Sequence, residues 1–159
     1  MKVGIFMGSK SDLEIVSSAL NVLEEFGVDY EYNILSAHRT PSQVINKITE
    51  LEGKGVEVFI GAAGMAAHLS GVIAAHTHKP VLGIPLDGGT MGGIDSLLST
   101  VQMPKGVPVA TFAIGKAGAI NAAIFAIQIL SSSDKELAKR FDEYRKKMTN
   151  DIIEINNSK

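Results

Sequence analysis

Short apolar runs recur along the chain, each followed by a stretch long enough for a helix. Residues 2–7 ("KVGIFM"), 29–35, 56–62 ("VEVFIGA"), 80–85 ("PVLGIP") and 107–113 read as five strands. Between the first two, Leu13, Val16, Leu20 and Leu23 recur at helical spacing, so residues 11–26 read as a helix that Gly27 ends. Further helices are predicted over 41–51, 65–76, 94–102 and 117–130. Crossovers of this length join parallel strands with right-handed connections. The pattern therefore predicts a three-layer, doubly wound parallel α/β fold of flavodoxin or Rossmann type, with an extra C-terminal helix.

A chain of 159 residues suits a single domain with a sizeable core. No repeat or linker marks a second one, so the core is placed at about 1–131 and a helical extension at about 133–155. The segment "AGAINAAIFAIQIL" is apolar nearly all round, which fits either a central core helix or burial partly against another subunit. After it, Ser133 with Glu136 three residues on predicts a capping box. The helix it would start carries Leu137, Phe141, Tyr144, Met148 and Ile152 on one face.

Hydrophobic residues make up 45% of the chain, yet no run reaches the roughly 18 to 20 apolar residues of a membrane span. The first residues read as a strand rather than a signal peptide. There is no cysteine, which excludes disulfides and thiolate chemistry and fits a cytoplasmic protein. A net charge of −2 with mixed signs, few aromatics and no Trp argue against nucleic-acid and membrane-surface binding.

In an open parallel sheet, ligands bind beyond the carboxyl ends of the strands. Four loops leave that edge: "GSKSD" (8–12), "SAHRTP" (36–41), "AGMAAH" (63–68) and "DGGTMGG" (87–93). All are small, polar or glycine-rich. "GSKSD" has two readings. Ser9, Ser11 and the helix N-terminus can receive a phosphate, with Asp12 on a sugar hydroxyl; or Ser11 simply caps the helix and Asp12 favours its first turn. It is neither a Walker loop nor a dinucleotide fingerprint. In "SAHRTP", Arg39 can grip a phosphate bidentately, and His38 can give and take a proton near neutrality. A histidine bonded at a strand end beside a surface arginine is the plainer alternative. Placement on the ligand edge favours the site. His68 is open between a ligand contact and a residue that orders the local backbone. His76 and His78 are too little for a metal site and read as a helix end.

The segments "MGSKSD", "SAHRTP", "GAAGMAAHLSG", "DSLLSTVQMPKGVPVAT" and "GKAGAINAA" resemble, in the same order, the bacterial 5-(carboxyamino)imidazole ribonucleotide mutases of de novo purine synthesis. The resemblance implies an isomerase that moves a carboxylate from the exocyclic nitrogen to a ring carbon, with no metal and no organic cofactor. It implies that CO2 is released and recaptured in the closed site. His38 would be the single acid and base. Ser9, Asp12 and Arg39 would hold the ribose 5-phosphate end. Ser36, Gly64, His68 and Leu69 would surround the base and carboxylate, with backbone donors near Gly64 and Met65 retaining CO2. A homo-octamer, a small ribonucleotide substrate and an ATP-dependent synthase upstream are implied as well. Related animal-type enzymes carboxylate aminoimidazole ribonucleotide directly with CO2 and carry Lys where this chain has Arg39. Ser70 stands where the family usually has Pro, beside His68. The alternatives are that CO2-dependent carboxylase and a non-catalytic domain that binds a phosphorylated ligand.

Overall fold

A computed structural model describes residues 2–158. Five strands, β1 (Val3–Met7), β2 (Tyr30–Ile34), β3 (Val58–Gly64), β4 (Val81–Leu86) and β5 (Ala110–Thr111), form one sheet in the order β2-β1-β3-β4-β5. Every pair is parallel. This is the flavodoxin-like strand order, and the chain reverses direction across the sheet between β1 and β3. The helices are α1 (Leu13–Glu25), α2 (Pro41–Gly53), α3 (Leu69–Ala75), α4 (Ile94–Val101), α5 (Lys116–Ser131) and α6 (Lys135–Asn157).

Alternation along the strands divides the core. Val3, Ile5 and Met7 of β1, Val58 and Ile60 of β3, and Leu82, Ile84 and Leu86 of β4 face α1 and α5. Phe6, Phe59 and Val81 point the other way, onto Val44, Ile48 and Leu51 of α2 and Leu69 and Ile73 of α3. Both faces of a parallel sheet are thus covered, as period-two side chains require.

Glycines on β3 and β4 set how closely the second layer approaches. A Cβ on Gly61 would lie 2.9 Å from Ser70 Cα, and one on Gly83 would lie 2.5 Å from a methyl of Thr100. Ser70 is therefore wedged against the sheet, and α4 lies close over β4. The face α4 turns inward is polar. Ser96 Oγ donates to Leu86 O at 2.7 Å or Gly93 O at 2.8 Å, and Thr100 Oγ1 donates to Ser96 O at 2.7 Å. Ser96 is 0% and Thr100 2% exposed, while Ile94, Leu98 and Val101 are 49%, 51% and 47% exposed. The helix is amphipathic in reverse.

Three expectations from the sequence need correction. The fifth strand spans Ala110–Thr111 rather than 107–113, because Pro108 has no N–H to give to the ladder and the segment lies at the sheet edge. The third helix begins at Leu69 rather than residue 65. Met65 adopts φ 57°, outside the helical region, and His68 N closes a tight turn onto Ala66 O. The last helix is capped by Asp134, whose Oδ1 accepts from Leu137 N at 3.0 Å; the Ser133 hydroxyl turns back to Leu130 O. On α6, Leu137 is buried, and Phe141 and Tyr144 pack on Phe26 with ring centroids 6.3 and 5.3 Å away. Met148 and Ile152 of the same stripe, however, stay exposed, with Ile153 and Ile155 beside them.

Candidate active site

The loops after β1, β2, β3 and β4 meet over a cavity of about 520 Å³ at the carboxyl edge. All nine residues expected from the sequence line it: Ser9, Asp12, Ser36, His38, Arg39, Gly64, Met65, His68 and Leu69. Gly8, Ser11 and Gly88 line it as well and were not among those nine. Gly88 could have been found from the glycine-rich loop after β4. A Cβ on Gly64 would lie 3.4 Å from Gly88 N, so bare backbone from two strand ends faces the cavity here.

The β1 loop folds on itself. Ser9, not Ser11, is the N-cap of a short 3-10 turn (Lys10–Asp12) that leads into α1. Ser9 N donates to Asp12 Oδ2 at 2.9 Å, and the Ser11 hydroxyl donates to Ser9 Oγ at 3.0 Å. Burial pushes the Asp12 carboxyl above the usual range, against the opposing pull of hydrogen bonds from Ser9, Ser11 and Gly8 and of the Arg39 charge.

The β2 loop is a compact turn. Ser36 Oγ accepts from His38 N at 3.3 Å and Arg39 N at 3.2 Å, and Thr40 Oγ1 accepts from Ser36 N at 2.9 Å. Pro41 then starts α2 at a position where its missing N–H costs nothing. The turn aims His38 and Arg39 into the cavity. Arg39 Nη2 donates to Gly8 O at 2.7 Å, tying the β2 loop to the β1 loop.

Across the cavity, His38 Nε2 lies 2.8 Å from Nδ1 of His68, the N-cap residue of α3, with the rings edge to face at 83°. One hydrogen occupies that contact, so one ring donates and the other accepts. His68 thus lines the cavity, and its side chain makes no capping bond to the local backbone.

A larger cavity, about 830 Å³, opens at the opposite edge of the sheet, beside the starts of β4 and β5. His76 and His78 line it, but His76 Nδ1 is 2.8 Å from Val72 O at the end of α3, as a helix-terminal histidine should be. Among the described residues no three His, Cys, Asp or Glu side chains gather as a metal site. Volume alone would select this cavity; the convergence of strand ends and titratable groups selects the smaller one.

Fold and site together define a flavodoxin-like α/β protein with a histidine pair and an arginine at the strand switch point. The chain matches the AIR carboxylase family over residues 2–151 and belongs to it. It is 47% identical to the N5-carboxyaminoimidazole ribonucleotide mutase of Pseudomonas aeruginosa, over 96% of this chain and 93% of that protein. It is 49% identical to the mutase of Thermotoga maritima, over 96% of this chain and 88% of the relative. The crystal structure of Treponema denticola PurE superposes with a TM-score of 0.90 at 30% identity, covering 98% of this chain and 96% of that one.

Proposed function

We propose that this chain is an N5-carboxyaminoimidazole ribonucleotide mutase, forming 5-amino-4-imidazolecarboxylate ribonucleotide in purine biosynthesis. The observation that carries the reading is the convergence of His38, His68, Arg39, Ser9 and Asp12 on one cavity, in a chain nearly half identical to proteins of that name. His38 protonates the exocyclic nitrogen as its carbamate C–N bond breaks and CO2 departs. The electron-rich ring carbon then attacks CO2, the C–C bond forms, and the ring proton passes to His38. The histidine ends as it began, so one group suffices for both transfers. Backbone donors near Gly64 and Met65 retain the CO2, and Ser36 and Leu69 shape the pocket around the base. Ser9, Asp12 and Arg39 hold the 5-phosphate end. No cofactor enters this scheme. The substrate is supplied by an ATP-dependent synthase that carboxylates aminoimidazole ribonucleotide.

The test is conversion of the carboxyamino substrate to its ring-carboxylated isomer, followed by ultraviolet absorbance, without ATP, metal or added bicarbonate. Turnover under these conditions supports the mutase. Activity only with aminoimidazole ribonucleotide and excess CO2 would make the protein a carboxylase. Binding without turnover in either assay would leave a ligand-binding domain. Within the mutase reading, Arg39→Ala weakens binding of the ribonucleotide by about 2 kcal/mol, roughly 30-fold, through loss of a charge-assisted contact. Unchanged affinity by calorimetric titration would remove Arg39 from the phosphate end.

Assembly belongs to the same reading. The chain is one domain, core about 1–131 with its helical extension, and eight copies of this 16.9 kDa chain form the enzyme. The reversed α4 supports this. Monomers rarely leave such a stripe in water, and Met91 extends it next to the active-site edge. Leu98→Asp is expected to dissociate the assembly, read as a drop in mass by light scattering. An unchanged mass would show that α4 is not an interface. Among the described residues no helix is long and apolar enough to cross a membrane, in keeping with the cytoplasmic location this pathway implies.

A further inference from the structure

Ser99 lies on α4, outside the cavity, and none of the expected site residues predicts a role for it. Its hydroxyl donates back to Asp95 O at 2.8 Å, one helical turn earlier. That bond uses its one proton and turns its lone pairs outward, and Ser99 Oγ accepts from Ala67 N at 3.0 Å. Ala67 is buried, so its N–H would otherwise lack a partner. The segment Ser99 holds is the one that carries His68. It leaves β3 through Met65, the one non-glycine residue among the described residues with a positive φ, at 57°. Met65 is a long side chain in a left-handed conformation, which persists only where the surroundings enforce it. Among the described residues, Ser99 is the only side chain that hydrogen-bonds the backbone of residues 65–68. The platform is firm, because Ser96 Oγ donates to Leu86 O and so pins α4 to the end of β4.

We propose that Ser99 is a positioning residue of the active site. Through Ala67 it fixes the strained 65–68 segment, and so sets the His68 ring at 2.8 Å from His38. The proposal rests on His38 being the acid and base of the mutase reaction. Ser99 touches no substrate, and its effect is on kcat. A displacement near 1 Å of a catalytic partner can lower a rate about 100-fold.

The experiment compares Ser99→Ala, Ser99→Cys and Ser99→Thr in the full-length protein. Ser99→Ala removes the acceptor, and Ser99→Cys nearly keeps the shape but accepts weakly. Thr keeps a hydroxyl able to bond back to the preceding turn. Expected is a fall in kcat of about 10- to 100-fold in the Ala and Cys variants, with KM within about twofold, and recovery in the Thr variant. Ring nitrogen resonances of His38 and His68, in protein labelled at histidine, are read alongside. They are expected to move in the Ala and Cys variants and return in the Thr variant. Wild-type kcat in the Ala and Cys variants, or unmoved ring resonances, would overturn the proposal. The ring resonances do not require turnover, so they test Ser99 even if the mutase assignment itself fails. The Cys variant keeps the test decisive should Ser99→Ala unfold.

Discussion

His38→Asn lowers turnover by about 1,000- to 10,000-fold while leaving substrate affinity near that of the parent protein. The size follows from the double duty assigned to this one ring. In the proposed mechanism it supplies the proton that releases the carbamate nitrogen, then removes the proton from the newly carboxylated carbon. Asn keeps a polar side chain, but it is too short to meet His68 where Nε2 does and cannot exchange a proton at neutral pH. The substitution is local, because Ser36 Oγ holds the turn through the backbone N–H groups of His38 and Arg39, which no side-chain change removes. Single-turnover absorbance gives the rate and calorimetric titration the affinity. A loss of kcat without a rise in Kd marks an interaction made only during the reaction. Near-parental turnover would sink the proton-transfer role of His38.

Gly118→Ala is expected to destabilise the fold by about 3 kcal/mol or more, although alanine is the better helix former by about 1 kcal/mol. A Cβ at Gly118, in the first turn of α5, would sit 1.6 Å from Ala113 O and 2.7 Å from Ala113 C. That neighbour is backbone and has no rotamer to escape into. Either α5 must lift from the sheet or the segment after β5 must move. Lifting α5 would open contacts made by Ala119, Ala122, Ala123, Ala126, Ile127 and Leu130, all buried against β4 and α1. For a chain of this size the expected loss is on the order of 10 °C in melting temperature. A stabilised Gly118→Ala variant would mean that α5 does not cross Ala113 this closely. The small Ala119, Ala122, Ala123 and Ala126 of its buried face let α5 settle close against its neighbours.

Much of the site was legible before any coordinates. The α/β alternation follows from local periodicity, which reports amphipathicity one element at a time. The strand-end loops had to fall on one edge because parallel strands share a direction, so "GSKSD", "SAHRTP" and the turn before Leu69 were bound to meet. The errors fell where a local signal had a tertiary competitor. Ser11 looked like a cap, but Ser9 and Asp12 close the box. Ser133 looked like a cap, but its hydroxyl finishes α5 and Asp134 begins α6. Residues 65–68 looked helical, but their backbone is drawn into a strained turn held from α4.

The sequence by itself determined the fold class, the edge where the strand-end loops gather and the residue types that gather there, because those follow from short-range pattern and chain direction. Tertiary structure alone decided that His38 meets His68, thirty positions along the chain, and that Ser99 anchors the backbone behind His68. It also decided that α4 turns Ser96 and Thr100 inward and Leu98 outward. Periodicity locates an apolar face but does not say what covers it. Here Gly83 lets α4 come so close to β4 that the Thr100 methyl lies 2.5 Å from where a Cβ would sit, so a small side chain meets the sheet there and the apolar face of α4 is left outside.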